Sequence, residues 1–433
     1  MARTDEKRGT GNGGQVSVTT AWTRGTVDET VGAVNALTAR WAAEAAEDAR
    51  AAGSGQSGTV FSAAGVWPLL AFLADAATGP ARAELAEAVG LPAGEAADRA
   101  REFVAALDGL RGVDAALGLW THRRLRVREE WAAKLGPHTH RKLTGWRAVD
   151  RRALDAWAAE RTGGRIPAMP ADLGRDTRLL LASALTVATR WVRPFTTGSA
   201  YPRTGPWNGR RLAGLSRTTR LLHRVGVADT PDGHVTALRV VGDRGIDVHL
   251  LLGEPGMAAG RVLAAGVDVL AGRRELVTGD RLPPGEAGPG LSVDTVRSWY
   301  PLRPRLHVHT VAFDVTAGHD LTSCPEVFGL RSATDRAAGH FPGIADEGLA
   351  VARARQSATA AFTDEGFEAA VVTAVELGEG SAPEPELKYR STEVHAHFER
   401  PFGFLAVHQA SRLVLASGWV TDPQPYRAAP MDW

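Results

Sequence analysis

Three His-x-His pairs, His138/His140, His307/His309 and His395/His397, are the residues of this 433-residue chain best spaced for chemistry. In a β-strand, residues two apart share a face, so each pair could offer two imidazoles to one metal ion. No third ligand stands at a diagnostic spacing from any of them. The first pair follows the turn at Gly136-Pro137, and the other two lie in alternating, strand-like patterns. All six therefore read as surface or pocket histidines, and no metal site is expected. The single cysteine, Cys324, excludes an internal disulfide, a CxxC redox pair and a cysteine-based zinc site, and reads as a small, partly buried hydrophobe. The glycine turns "GDRG" (242–245) and "GEPG" (253–256) are too short to cradle phosphates; no Walker A, Rossmann or nucleophile-elbow motif is present. Neither enzymatic activity nor a cofactor is expected.

The elements that would position these residues come from periodicity. Val31, Val34, Leu37, Trp41 and Ala45 recur at helical spacing within 27–51. After "GSGQSG" (53–58), an apolar helix begins near Ser62; its run Val60–Ala74 is too short to span a bilayer and carries Pro68. A helix follows, capped at Thr78 with Pro80 in its first turn and Gly90 at its stop. Further helices are expected over Ala96–Leu107, Glu129–Leu135 and the stretch closed by Gly163-Gly164. Val113–His122 reads as a strand and Arg178–Phe195 as one central strand. From about Val235 the pattern is mainly β. The polar, Gly-rich residues 1–25 read as a disordered tail, 26–425 as a single mixed domain and 426–433 as a C-terminal tail. No apolar run opens the chain, so no signal peptide is expected; the expected location is cytoplasmic, with export by a non-standard route the alternative. A formal net charge of +1 argues against nucleic acid or anionic membrane as partner. Ala-rich composition with nearly all basic charge on Arg points to a GC-rich coding sequence.

The stretch "FTDEGFEAAVVTAV" (362–375) joins a strand-like run to an acidic, proline-bearing one. It resembles the hinge of a serpin reactive loop. The likeness extends from Val27 to Pro423 with the family's elements in order. "TVFSAAGVWPLLAFLADAATGPARAELAEAVGL" is similar to the family's "FSP" helix and the segment after it. "LASALTVATRWVRPF" is similar to the strand ending in Lys-Trp-x-x-Pro-Phe, with Trp191, Pro194 and Phe195 matching. "HFERPFGFLAVHQASRLVLASGWVTDP" is similar to the family's C-terminal signature. The chain is thus identified as a bacterial serpin of actinobacterial type. The resemblance implies an α+β fold with three β-sheets, about nine helices and an exposed reactive-centre loop. It implies a monomer that inhibits a trypsin-like or subtilisin-like serine protease as a suicide substrate, by loop cleavage and strand insertion. The alternative is a non-inhibitory binding, carrier or chaperone-like protein on the same scaffold.

By the resemblance, the hinge is Asp364, Glu365, Gly366, Phe367, Glu368, Ala369, Ala370, Val371, Val372 and Thr373. Alternation would send Phe367, Ala369, Val371, Thr373 and Val375 to one face of the receiving sheet, and Glu368 and Glu376 to the other. Gly366 would give the hinge freedom to turn. Phe367 stands where the family has Thr or Ser, so overpacking by about 1–3 kcal/mol is expected as it enters the sheet. The polar cluster beneath the opening sheet would be Ser62, Ser183 and Gln356, with Gly65 at a position where the family has Ser; Trp191 would mark the breach. Counting back from Pro401 places the scissile bond at Arg390-Ser391; counting forward from Gly366 places it at Gly380-Ser381. The difference is about 33 Å of extended chain. "KYRS" suits a trypsin-like or subtilisin-like protease, whereas Gly380 offers no side chain to fill a pocket, so Arg390-Ser391 is the expected bond and Gly380-Ser381 the mechanical alternative.

Overall fold

A computed structural model describes residues 24–51, 58–135, 139–169, 173–174, 177–367 and 389–427. Helix α1 (Arg24–Ala51) begins just inside the expected tail. Helix α2 (Ala63–Ala76) is buried along its length except at Asp75, as an all-round apolar helix must be, and Ser62 caps it by accepting from Gly65 N–H at 3.1 Å. Helix α3 (Gly79–Val89) stops at Gly90 with φ 72°, as Pro80 and Gly90 predict, although Thr78 makes no side-chain cap. Helices α4 (Ala93–Asp108), α5 (Glu129–Lys134), α6 (Arg147–Arg161), α7 (Ala259–Leu270) and α8 (Pro325–Phe328) follow. Eight α-helices are thus found among the described residues, where about nine were expected.

Three large sheets and one short ribbon carry the strands. The five-stranded sheet runs in the order β15 (Phe313–Asp320), β16 (Arg353–Phe362), β4 (Leu179–Val187), β2 (Val113–His122), β3 (His140–Leu143). The six-stranded sheet runs β12 (Gly285–Gly288), β13 (Leu291–Ser298), β18 (Tyr389–His397), β14 (Arg305–Val311), β7 (Leu212–Thr219), β6 (Thr196–Ala200). The seven-stranded sheet runs β1 (Gly58–Phe61), β20 (Val414–Val420), β19 (Phe402–His408), β10 (Ile246–Gly253), β9 (Gly233–Val241), β8 (Val225–Thr230), β11 (Val277–Thr278). The ribbon is β5 (Thr189–Arg190) with β17 (Gly366–Phe367).

The stretch 178–195, expected as one strand, breaks at Ala188, whose N–H turns aside to donate to Gly112 O at 2.7 Å. That break separates β4 from β5 and creates the site described below. One face of the five-stranded sheet lies on the main core, with α2 against β2 and β4. On the other face α6 packs Leu154, Trp157 and Ala158 against Trp120, Leu180, Ala182 and Ala184, a second core. Tyr426 is not a free tail: its N–H donates to Arg211 O at 3.1 Å and its ring lies under the Arg211 guanidinium. No helix among the described residues is long and apolar enough to cross a membrane.

Candidate functional site: the loop hinge and the sheet seam

Strand β16 alternates, with Ala354, Gln356, Ala358, Ala360 and Phe362 buried and Arg353, Arg355, Thr359 and Ala361 half-exposed. The chain then reverses in a tight turn. Thr363 N–H donates to Gly366 O at 2.9 Å, and Gly366 N–H donates to Thr363 Oγ1 at 3.3 Å, so the two residues face each other across Asp364-Glu365. The break after β4 meets this turn from the other side. Trp191 N–H donates to Glu365 O and Phe195 N–H to Asp364 O, both at 2.8 Å. The Trp191 indole N–H donates to Thr363 O at 2.8 Å, and its ring lies 4.8 Å from that of Phe362. Trp191 therefore holds directly the turn that the resemblance gives as the start of the hinge.

Gly366 and Phe367 pair antiparallel with Arg190 and Thr189. A Cβ on Gly366 would lie 2.4 Å from Thr189 O, so glycine is required there by close backbone approach rather than by freedom to turn. Phe367 is 1% exposed, edge-on to Phe404 at 5.9 Å between ring centroids. In the uncut chain the ring thus has an aromatic neighbour in Phe404, which itself stacks on Phe313 at 5.1 Å. Asp364 is 6% exposed. Burial, with the neighbouring Glu365 charge, holds its carboxyl above the usual carboxylate range despite backbone hydrogen bonds that act the other way.

Below the hinge lies a seam. Strands β16 and β4 run parallel and hydrogen-bonded, from Arg353 beside Leu180 to Ala358 beside Leu185. The polar cluster sits on it. Gln356, level with Ser183, accepts from Ser62 N–H at 2.7 Å and donates to Ser62 O at 2.8 Å and Ser183 Oγ at 3.4 Å. Ser62 Oγ donates to Leu415 O at 2.6 Å. A Cβ on Gly65 would stand 2.7 Å from Ser183 Oγ and 3.3 Å from Gln356 Nε2, so the bare glycine leaves the room the glutamine side chain uses. The structure thus brings Ser62, Ser183 and Gln356 together.

Glu368, Ala369, Ala370, Val371, Val372, Thr373, Gly380 and Ser381 lie outside the described residues, as does His138. Arg390 and Ser391 are described, and they are in strand β18, opposite Arg297 and Val296 of β13. The Arg390 side chain is exposed but Ser391 is buried. A protease binds its substrate as a free extended segment, and this bond is engaged in a sheet. The count back from Pro401 could not register that the strand begins at Tyr389.

Sequence reasoning missed three contributors. Thr363 closes the turn, Phe404 packs against Phe367, and Asp243 Oδ1 holds β5 by accepting from Arg190 N–H at 3.0 Å and Thr189 Oγ1 at 3.4 Å. Only Thr363 had a signal, its place just before the two acids. The strand histidines were read as unconnected pairs, whereas the parallel pairing of β14 with β18 sets His307 beside His395 and His309 beside His397.

The family model described as "Serpin (serine protease inhibitor)" matches residues 36–204 and 290–423. The chain is a serpin. Its fold is similar to that of solved serpin structures at low sequence identity. Human thyroxine-binding globulin complexed with thyroxine is 16% identical, covering 92% of this serpin and 100% of that chain, with a TM-score of 0.69. Native protease nexin-1 with heparin is 16% identical, with coverages of 92% and 100% and a TM-score of 0.68. Serpin48 of the insect Tenebrio molitor is 17% identical, with coverages of 90% and 97% and a TM-score of 0.67. No curated protein matches this serpin by sequence.

Proposed function

We propose that this serpin inhibits a serine protease as a suicide substrate, its cleaved loop entering the β16–β4 seam as a new strand. One observation carries the reading: the hinge is already in register with both walls of the seam. Phe367 is level with Thr189, so a strand continuing along β4 would set residue 369 beside Val187, 371 beside Leu185 and 373 beside Ser183. The turn that faces Thr363 with Gly366 sets Phe367 opposite Phe362, which would place 371 beside Ala358 and 373 beside Gln356. Since Ala358 is level with Leu185 and Gln356 with Ser183, the two counts agree without a slip. Insertion would replace one parallel ladder by two antiparallel ones, the more stable pairing per residue.

The same register gives each inserted side chain a destination. Ala369, Val371 and Val375 would join the core face, Thr373 would bring its hydroxyl to Gln356 and Ser183, and Glu376 would lie beside Arg353 on the opposite face. The slot along β4 ends at Leu179, level with Leu377. Cleavage at Gly380-Ser381 would therefore free enough strand to fill it, whereas cleavage at Arg390-Ser391 would leave excess chain and require β18 to open. We place the scissile bond upstream of Tyr389, with Gly380-Ser381 favoured. Incubation with subtilisin and with trypsin tests the proposal. An SDS-stable covalent band with at least one of them supports it, and mass spectrometry of the released peptide locates the bond.

A second reading, a non-inhibitory binding, carrier or chaperone-like serpin, is favoured by the burial of Phe367, since a hinge held by so large a ring is also a stable resting arrangement. Cleavage by both proteases without a covalent band at any ratio would select it.

A further inference from the structure

We infer that His307, His395 and Glu393, with Asp294 beside them, form a binding site for one divalent transition-metal ion, with Zn2+ as the reference ion, on the strand where the loop re-enters the fold. The register builds it. His307 of β14 is level with His395 of β18, Glu393 precedes His395 by two on the same face, and Asp294 of β13 is level with Glu393. The opposite face of these strands carries Leu306, Val308, Val394 and Ala396, all buried, so the ligand face is the half-open one.

The donor atoms converge. His307 Nε2 lies 3.8 Å from Glu393 Oε2, His395 Nε2 lies 4.0 Å from the same oxygen, and Asp294 Oδ2 lies 3.7 Å from His395 Nε2. The His307, Glu393 and His395 donor atoms all lie within 4.8 Å of one another. A tetrahedral ion with bonds near 2.0–2.1 Å needs donors about 3.3–3.4 Å apart, so each imidazole must close on Glu393 by roughly half an ångström and the widest gap in the set by up to about 1.5 Å. Rotations about the last side-chain torsions supply this closure, since those torsions are broad.

Two further observations point the same way. His307 Nε2 is buried and has no hydrogen-bond partner among the described residues. On the other side of the ring, Thr218 Oγ1 lies 3.2 Å from Nδ1; with the proton on Nδ1, the hydroxyl accepts it and leaves the Nε2 lone pair facing Glu393 and His395. The two rings stack at 4.8 Å with planes 10° apart, an arrangement that disfavours a charge on both. Burial and the neighbouring His395 charge hold the His307 imidazole below its ordinary range, despite the Glu393 carboxylate acting the other way, which favours the neutral ligand form. The ladder continues in the His309–His397 stack, but there His397 Nδ1 is engaged by Glu399 Oε1 at 3.4 Å, so the second pair is less open to an ion.

Zinc, a borderline-soft ion, suits two imidazoles with one or two carboxylates, where calcium and magnesium would need more oxygens. An ion here would link β18 to β14 and to β13, pinning the strand that follows the loop. The inference does not depend on whether the serpin inhibits a protease.

Calorimetric titration of the tag-free full chain with ZnCl2 tests it. One saturable equivalent is expected, weakened roughly 10-fold or more by His307→Ala, His395→Ala or Glu393→Gln, and unchanged by His223→Ala, an exposed histidine elsewhere. Circular dichroism checks that each variant is folded; if an alanine variant is not, His307→Asn and His395→Asn replace it. A Co2+ titration reads the same site through its d–d bands, which the His395 variant should abolish. No saturable binding, or binding that survives loss of both histidines, would overturn the inference.

Discussion

Replacing Phe367 by Ala tests how the hinge is held. The ring is 1% exposed and packs edge-on to Phe404. Truncating a buried Phe to Ala costs about 3–5 kcal/mol when a cavity is left behind. Were the ring squeezed into a space meant for a smaller side chain, truncation would instead relieve about 1–3 kcal/mol. The two accounts differ in sign. Because the ring sits at the head of the seam, on the two-residue ribbon with Thr189, its loss should fall first on hinge docking, with the rest of the fold intact. At about 1.4 kcal/mol per decade, the open hinge becomes roughly 100-fold or more populated. Hydrogen exchange read by mass spectrometry should show faster exchange for the peptide covering 360–367, with the peptide covering 402–408 as an internal reference. Phe367→Leu should lie between the two proteins. Unchanged or slower exchange in Phe367→Ala, or a higher unfolding midpoint, would refute the seated-ring account.

Three further outcomes follow from the same geometry. Val371→Arg would direct a charge between Ala358 and Leu185 on the core face, where an unpaired ion costs several kcal/mol, so the cleaved protein should lose its thermal gain and any covalent band; Glu368→Lys, on the opposite face, should retain most of both. Gln356→Leu leaves Ser62 N–H buried without its partner, at about 1–3 kcal/mol, while Ser62 O keeps the Gly65 N–H, and calorimetry should show a midpoint lower by roughly 1–3 °C, taking about 0.9 kcal/mol per degree for a chain of this size. The raised pKa of Asp364 means that its ionised form is disfavoured in the docked hinge. Docking should therefore weaken as pH rises through that raised value and strengthen as pH falls through it; hinge exchange corrected for intrinsic rates should show this, and Asp364→Asn should abolish it.

Much of the fold was legible because its punctuation is local. Pro80 and Gly90 bracket α3, Ser62 caps α2, and alternation marks β16. The stretch 178–195 was less so: its apolar run gives no sign of the break at Ala188, which depends on a partner at Gly112, 76 positions earlier by number. The polar cluster could be named from the resemblance, yet why Gln356 fits there depends on the missing side chain of Gly65. Phe367 is the sharpest case. The sequence says only that a large ring stands where a small residue is usual; that Phe404 packs against it is a tertiary fact. The histidines failed for the same reason, since His-x-His spacing reveals which residues share a face but not which strand lies alongside.

The central claim is that the segment after Gly366 enters the β16–β4 seam once the loop is cut. Its most direct test is the calorimetric unfolding midpoint of the intact protein and of the same sample nicked within 377–388. The account predicts a rise of about 10 °C or more, corresponding to roughly 9 kcal/mol for a chain of this size. An unchanged or lower midpoint in the nicked sample would contradict it.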